Sequence, residues 1–284
     1  MKRSENDLLY EESDVLHDSE QGWKLIWSLL RLEVSALGHV EPRVDGVTLE
    51  EPLGRGRCAV VYKGIHEEKD VLVKIFRESM ASSFHTEKAA LVTLRGMNGV
   101  PNIEAIGAVQ EHAEIQCHFQ ALILSPVGNV LMTANHRKGE TLDGSHLQKL
   151  VQIVQEAHEK KLLHRDIKPH NAYLTDDNQI LLNDWGSSVG TKDELFIWEG
   201  THGYSVSASQ HLETGWTGET CDLVALVRTA YVLICKESPP LGDEDAANEY
   251  WEKRIRRGTV WYTAMGYAKS KKYDKLGKLL CSLK

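Results

Sequence analysis

The sequence predicts an α+β fold of two lobes: a small antiparallel β-sheet carrying one helix, then a helical lobe. Three observations predict it. Residues 47–125 fall into short β-branched runs around a single helical stretch. From residue 145 onward apolar side chains recur every three or four positions. A dense polar cluster, "LLHRDIKPHNAYL" at 162–174, lies at the junction of the two textures.

The elements follow in order. Residues 1–20 are acidic and polar and read as an arm, and "GWKLIWSLLRLEVSAL" then sets Trp23, Ile26, Trp27, Leu30 and Val34 at helical spacing. That amphipathic helix is expected either to pack on the main domain or to bind a partner. "VTLEEPL", "AVVYKGIHE" and "DVLVKIF" read as strands, "SFHTEKAALVTLRGM" as a helix, and "IEAIGAVQ" and "CHFQALIL" as two further strands. After "SPVGNV" the pattern turns helical in "SHLQKLVQIVQEAHEKK", with Leu147, Leu150, Val151, Val154 and Ala157 on one face. A strand pair, "AYLTDD" and "QILLND", follows, and "CDLVALVRTAYVLIC" is apolar apart from Asp222 and Arg228, as a centrally buried helix would be. The expected divisions are an arm and helix over 1–45, a sheet lobe over 46–125 and a helical lobe over 126–284.

Composition bounds the function classes. With 284 residues, 42% hydrophobic and 26% charged, the chain can bury one large core or two modest ones. A formal net charge of −8 argues against a general nucleic-acid binder, and the basic run "EKRIRRG" at 252–258 reads as a solvated helix face. No apolar run reaches the roughly 18 residues of a membrane span, and the N-terminus has no apolar signal core. Five scattered cysteines favour neither a disulfide framework nor a zinc site. An intracellular protein of cytosol or nucleus, without nucleic-acid or membrane partners, is the expectation.

The chemistry-bearing residues come in a fixed order. "LGRGRCAVVYKG" sits between two strands, where Gly54 and Gly56 let backbone amides approach phosphate oxygens and Val61 can cover a flat ring. Lys74 lies mid-strand in "VLVKIF" and needs a partner or a cleft, because a lone buried ammonium is costly; Glu87 on the following helix can supply the partner. Asp166 can accept a hydroxyl proton, Lys168 can neutralise charge on a phosphoryl group in flight, and Asn171 can hold a metal ion. Asp184, in "LLNDWGSS", can grip Mg²⁺ bridging phosphates. Each motif alone has an ordinary structural reading; all of them in this order, on these elements, do not.

With those residues in place the chain resembles a eukaryotic-type protein kinase of the serine/threonine type over roughly residues 46–240, and the hinge wording "LILSPVG" is similar to Crinkler-type kinase-like domains. The resemblance implies a bilobal protein-kinase-like fold with ATP and Mg²⁺ as cofactors and a protein hydroxyl as acceptor. It implies that Gly54 and Gly56 belong to a glycine-rich loop, that Lys74 holds phosphates and that Glu87 is its ion-pair partner. Asp166 would be the catalytic aspartate assisted by Lys168, with Asn171 and Asp184 as metal ligands. Leu124 would be the gatekeeper, with Ser125 to Val127 facing adenine. Thr201 in "GTHGYS" would contact Asp166 and Lys168, and Asp222 would anchor the loop backbone.

Departures from the family pattern are Ala59 for the third loop glycine, Leu72 for an alanine, Tyr173 at the adenine floor and Trp185 in the D-F-G position. Val206, Ser207 and Ala208 stand where Ala-Pro-Glu would end the segment, so no glutamate is present to pair with an arginine such as Arg254 or Arg256. Fewer than 50 residues follow the buried helix, so the helical lobe is expected to be reduced. The resemblance implies a serine/threonine kinase; the departures leave a pseudokinase scaffold as the alternative, and a small-molecule phosphotransferase as a third reading. The resemblance also implies, through Arg165 before Asp166, that a phosphate can order the segment, so Ser187, Ser188 and Thr191 are read either as its acceptors or as plain loop residues. Mass spectrometry of active protein is expected to map autophosphorylation between 187 and 201; full activity with that stretch unmodified would overturn this.

Overall fold

β-branched runs separated by short turns pair as antiparallel ribbons, because branched side chains pack well on a pleated surface. The computed structural model of this chain describes residues 2–3, 9–10, 42–110, 119–131, 142–192, 200–206, 208–240 and 243–283. The amphipathic helix expected near 22–37 lies outside them. The sheet lobe is built from β1 (Arg43–Val44), β2 (Thr48–Arg55), β3 (Ala59–His66), β4 (Lys69–Phe76), β5 (Asn102–Gln110) and β6 (Phe119–Ser125), with α1 (Ala81–Thr93) between β4 and β5. The strand order is β1-β5-β6-β4-β3-β2, all neighbours antiparallel. Pro52 lies on the outermost strand β2, at a register shift, where its missing N–H costs no central ladder bond.

Register positions the side chains that matter. In β4, Lys74 lies opposite Val61 of β3 and Leu122 of β6, and Leu72 opposite Leu124. Leu72 and Phe76 face α1, packing in one core with Phe84 and Leu91, while Val71, Val73 and Ile75 point to the other face and are also buried. Two buried faces explain why this strand reads as a nearly continuous apolar run instead of an alternating one.

The helical lobe begins with β7 (Asn129–Val130) and α2 (Gly144–Glu159). Asp143 caps α2, accepting from the amides of Ser145 at 2.8 Å and His146 at 3.3 Å while the His146 ring returns to the Asp143 amide, a reciprocal box. Then come β8 (Leu162–Leu163), β9 (Ala172–Leu174), β10 (Ile180–Leu182) and β11 (Val189–Gly190), in short antiparallel pairings that fold the polar stretch back on itself. α3 (Ala208–Thr214), α4 (Gly218–Cys235), α5 (Glu244–Arg254), α6 (Val260–Lys269) and α7 (Tyr273–Cys281) complete the lobe. α4 is buried along nearly its whole length, as its composition predicts. Among the described residues no helix is long and apolar enough to cross a membrane.

The run 252–258 is not one helix face. α5 ends at Arg254 because Ile255 leaves helical geometry (φ −97°, ψ 60°), and Arg256 and Arg257 fall in the turn that follows, where Gly258 takes a positive φ of 92°.

α2 and α7 meet at Gly144, where a Cβ would lie 2.1 Å from the carbonyl oxygen of Cys281 and 2.8 Å from its Cα. Gly144→Ala is therefore expected to push α7 off α2 and cost about 1–3 kcal/mol, read as a lowered urea midpoint. An unchanged midpoint would show that α7 shifts at no cost.

Candidate active site

The stretch 164–171 has too few residues to fold on its own, and its shape is set by one buried carboxylate from α4. Asp222 accepts the amide of His164 through Oδ2 and that of Arg165 through Oδ1, each at 2.8 Å. His158 of α2 approaches Asp222 Oδ2 through Nε2 at 3.0 Å, and its Nδ1 lies 2.7 Å from the Tyr273 hydroxyl of α7. With Nε2–H donating to Asp222 and the hydroxyl donating to Nδ1, both ring nitrogens of His158 are partnered. Burial would raise the Asp222 carboxyl, yet the His158 contact and the loop amides hold it below its ordinary value. Arg165 takes a left-handed φ of 68°, and the bond from its amide to Asp222 holds it there.

Beyond Arg165 the polar side chains converge. Asp166 Oδ1 accepts both the amide of Thr201, at 3.0 Å, and its hydroxyl, at 2.8 Å. Its Oδ2 accepts Lys168 Nζ at 2.7 Å, and the same ammonium donates to Thr201 Oγ1 at 2.7 Å. Asn171 donates Nδ2 to the Asp166 carbonyl at 2.8 Å, which leaves Oδ1, the amide's acceptor, for a cation. Gly200 permits this closure: a Cβ there would sit 2.1 Å from Ser205 Oγ and 2.9 Å from the carbonyl of Arg165.

A second charged cluster faces it. Lys74 Nζ donates to Glu87 Oε2 at 2.5 Å and to Asp184 Oδ1 at 2.6 Å. Burial pulls the Lys74 ammonium down, but Asp184 and Glu87 together outweigh it and the net shift is upward. Burial would raise Asp184 as well, and Lys74 overcomes it to hold the carboxyl at about 2. Glu87 fares differently: it is fully enclosed, its Oε1 meets no donor among the described residues, and burial pushes it up to about 7 despite Lys74. Asp184 itself takes a positive φ of 64°, and the adjoining Trp185 is locked by its indole N–H to the Leu182 carbonyl at 3.0 Å and by tilted packing against the His164 ring, centroids 4.5 Å apart.

Leu72 and Leu124 are buried in the main apolar core, and Val61, Val127 and Tyr173 pack partly buried against it. Ser125 ends β6 and donates its hydroxyl to Glu104. Burial raises the Tyr173 phenol above its ordinary value. Gly54 and Gly56 have ordinary negative φ; a Cβ at Gly54 would meet nothing within 4 Å and one at Gly56 only the Ala59 carbonyl, at 3.6 Å. Nothing in the protein's own packing demands glycine there, so the space they leave suits a ligand's approach. The donor set fits Mg²⁺: one carboxylate, Asp184, and one amide oxygen, Asn171, with the remaining positions left to phosphates and water.

Two residues escaped the sequence reading. Arg228, buried in α4, donates through one terminal nitrogen to the carbonyls of Tyr204 at 3.1 Å and Ser205 at 3.0 Å and lies 5.6 Å from the centre of the Trp251 ring. Trp251 of α5 donates its indole N–H to the Gly203 carbonyl at 2.5 Å. Together they hold the 200–206 segment that lacks its terminal glutamate. Arg254, one of the two arginines considered for that role, instead pairs with Glu237 at 3.0 Å and stacks on Tyr250. The only signal was a lone cation in an apolar helix. Of the phosphorylation candidates, Ser188 is buried, while Ser187 and Thr191 are partly accessible.

Residues 47–280 match the protein kinase domain family, and the chain belongs to it. It is 30% identical over 156 residues to a protein of Clostridium acetobutylicum named "Probable serine/threonine-protein kinase", a match covering 51% of this chain and 23% of that protein. It is 27% identical over 139 residues to cyclin-dependent kinase-like 1 of Caenorhabditis elegans, 47% of this chain and 39% of the relative. A further match, 27% over 157 residues, is to a protein of Dictyostelium discoideum, also named "Probable serine/threonine-protein kinase", covering 54% of this chain and 10% of the relative. The matches therefore span well under half the length of these relatives. Domains of this family generally use ATP and Mg²⁺.

The raised Glu87 carboxyl predicts a pH signature. A folded-state value near 7, above that of the unfolded chain, makes ionisation of Glu87 destabilising as pH rises between the two. Glu87→Gln removes that titration, so the variant's melting temperature is expected to gain on the parent's from about pH 5 to about pH 8. A constant difference across that range would overturn the reading of Glu87.

Proposed function

We propose that this protein is a serine/threonine protein kinase, transferring the γ-phosphoryl group of Mg-ATP to a hydroxyl of a protein substrate inside the cell. The observation that carries the proposal is Lys168, whose ammonium sits 2.7 Å from both Asp166 Oδ2 and Thr201 Oγ1. A cation held there, beside a carboxylate ready to take a proton, is what phosphoryl transfer to an alkyl hydroxyl needs.

In this reading Asp166 accepts the proton of the substrate hydroxyl as its oxygen bonds to the γ-phosphorus. The bond to the β–γ bridging oxygen breaks, and ADP departs with the electron pair. Lys168 offsets charge on the transferring group, and Lys74, steered by Glu87, takes the α- and β-phosphates. Asn171 and Asp184 would hold Mg²⁺, which supplies charge neutralisation at the phosphates. Gly54 and Gly56 would leave room for the phosphates beside the hairpin, whose turn is closed by the Gly56 amide donating to the Ala59 carbonyl at 2.8 Å, and Val61, Leu72, Leu124 and Tyr173 would enclose the base, with the Ser125 to Val127 backbone reading its edge.

A scaffold without transfer remains the second reading, favoured by one observation: the four donor contacts on the Asp166 carboxylate occupy the acceptor sites a substrate hydroxyl must use.

Transfer of label from γ-labelled ATP with Mg²⁺, to generic protein substrates and to the chain itself, tests the proposal. Asp166→Ala is expected to lower transfer by about 10²–10⁴-fold while nucleotide still raises the melting temperature. Nucleotide-dependent stabilisation with no transfer by the parent chain would favour the scaffold.

A further inference from the structure

Arg228 is a buried cation that lacks an anion. It is 6% exposed, and its hydrogen bonds among the described residues run through one terminal nitrogen to the carbonyls of Tyr204 and Ser205. Its Nε meets no acceptor among the described residues. Two carbonyls and the face of the Trp251 ring offer partial charges, which solvate a guanidinium without neutralising it. Burial draws the group down to about 10, and what offsets burial there is the Cys221 thiol, not a carboxylate. The segment that Arg228 fastens supplies no carboxylate either, since residues 200–212 contain neither aspartate nor glutamate. Beside Arg228 a cleft of about 240 Å³, counted out to its open mouth, runs between that segment and α5, with His202 on one side and Glu244, Ala247 and Asn248 on the other. Inside it there is room for about one water-sized group.

We propose that this cleft is a carboxylate site, in which the acid group of an aspartate, a glutamate or a small organic acid enters between His202 and Asn248 and pairs with Arg228. Size selects the ligand. A carboxylate oxygen is no larger than a water, whereas a phosphoryl group sets three oxygens around phosphorus and is too broad for the interior. Charge selects it as well: a water can accept the unused guanidinium N–H groups but leaves the cation uncompensated, and a carboxylate does both. At the mouth the Asn248 amide and the His202 ring are further donors. Glu244, half-buried on the rim, adds a like charge, so the site takes a single carboxylate and holds it weakly. Two sources carry that chemistry. One is an acidic side chain of the protein substrate: Thr201, whose hydroxyl marks the acceptor site at Asp166, lies in the same short segment as Ser205, and an extended peptide advances about 3.3 Å per residue, so a side chain within a few residues of the acceptor reaches the cleft. That source rests on the kinase reading. The other, a free carboxylate, does not.

Acetate is the probe, and thermal unfolding of the full chain reads it without any transfer. At neutral pH, sodium acetate titrated against sodium chloride at equal ionic strength is expected to raise the melting temperature saturably, by about 2 °C. Ala247→Leu, which fills the cleft from α5, is expected to abolish that rise. Glu244→Gln leaves the cleft open and removes the like charge, so its response is expected to reach half-maximum at about threefold less acetate, whether or not Ala247→Leu folds. No rise in the parent, a rise that never saturates, a rise kept in Ala247→Leu, or a midpoint unmoved by Glu244→Gln each overturns the proposal, leaving Arg228 solvated by water alone. Peptides in which a glutamate is stepped through the positions flanking an acceptor serine then separate the sources. A KM about tenfold lower than that of the alanine peptide at one position, lost in Ala247→Leu, assigns the site to the substrate. Equal KM values with the acetate response intact assign it to a free carboxylate. No transfer to any peptide, with the acetate response intact, counts against the kinase reading and supports the site.

Discussion

Everything in the polar junction hangs on one buried carboxylate. Asp222 is a charge inside an apolar helix, a placement tolerable only because each of its oxygens meets donors: two main-chain amides, and an imidazole that is itself steadied by Tyr273. A left-handed non-glycine residue costs roughly 1–2 kcal/mol, and a hydrogen bond to a charged acceptor returns about as much. Arg165 therefore stays in a conformation its own chain would abandon, and Asp166 is presented toward Thr201 and Lys168. Three helices, α2, α4 and α7, converge on that single group, so the short C-terminal helices contribute directly to the geometry of the loop.

The facing cluster obeys a different logic. Asp222 is satisfied by dipoles, whereas Lys74 is satisfied by charges, and it has two for its one. The surplus shows in the split between the carboxylates: Asp184, partly open to solvent, is held ionised, while Glu87, enclosed and with one oxygen unmatched, is pushed toward neutrality. The sheet imposes this arrangement by register, since the strand that carries Lys74 on one face buries valines on the other and cannot slip by a residue without inverting both.

Much of this was legible in the residues. The glycine hairpin, the strand lysine, the helix glutamate and the polar stretch fall on the elements expected of them, because hydrophobic period and turn chemistry are local signals. What escaped was non-local. The two-residue strands β7, β8 and β11 are too short to show a period, and α5 has little apolar patterning of its own. The basic run at 252–258 looked continuous because charge says nothing of the backbone break before Gly258. Arg228 was visible as an anomaly in α4, but its partners are main-chain carbonyls more than 20 residues away, and carbonyls leave no mark in a sequence.

That choice of partners sets how the 200–206 segment responds to its surroundings. An anchor made from an arginine and a carboxylate opens as acid protonates the carboxylate. Here the acceptors are peptide oxygens, which bind no proton in the working range, and the guanidinium, though drawn down by burial to about 10, stays charged well past neutrality. At Tyr204 and Ser205 the fastening is thus indifferent to acidification, while at Thr201 the same segment is held by the Asp166 carboxylate.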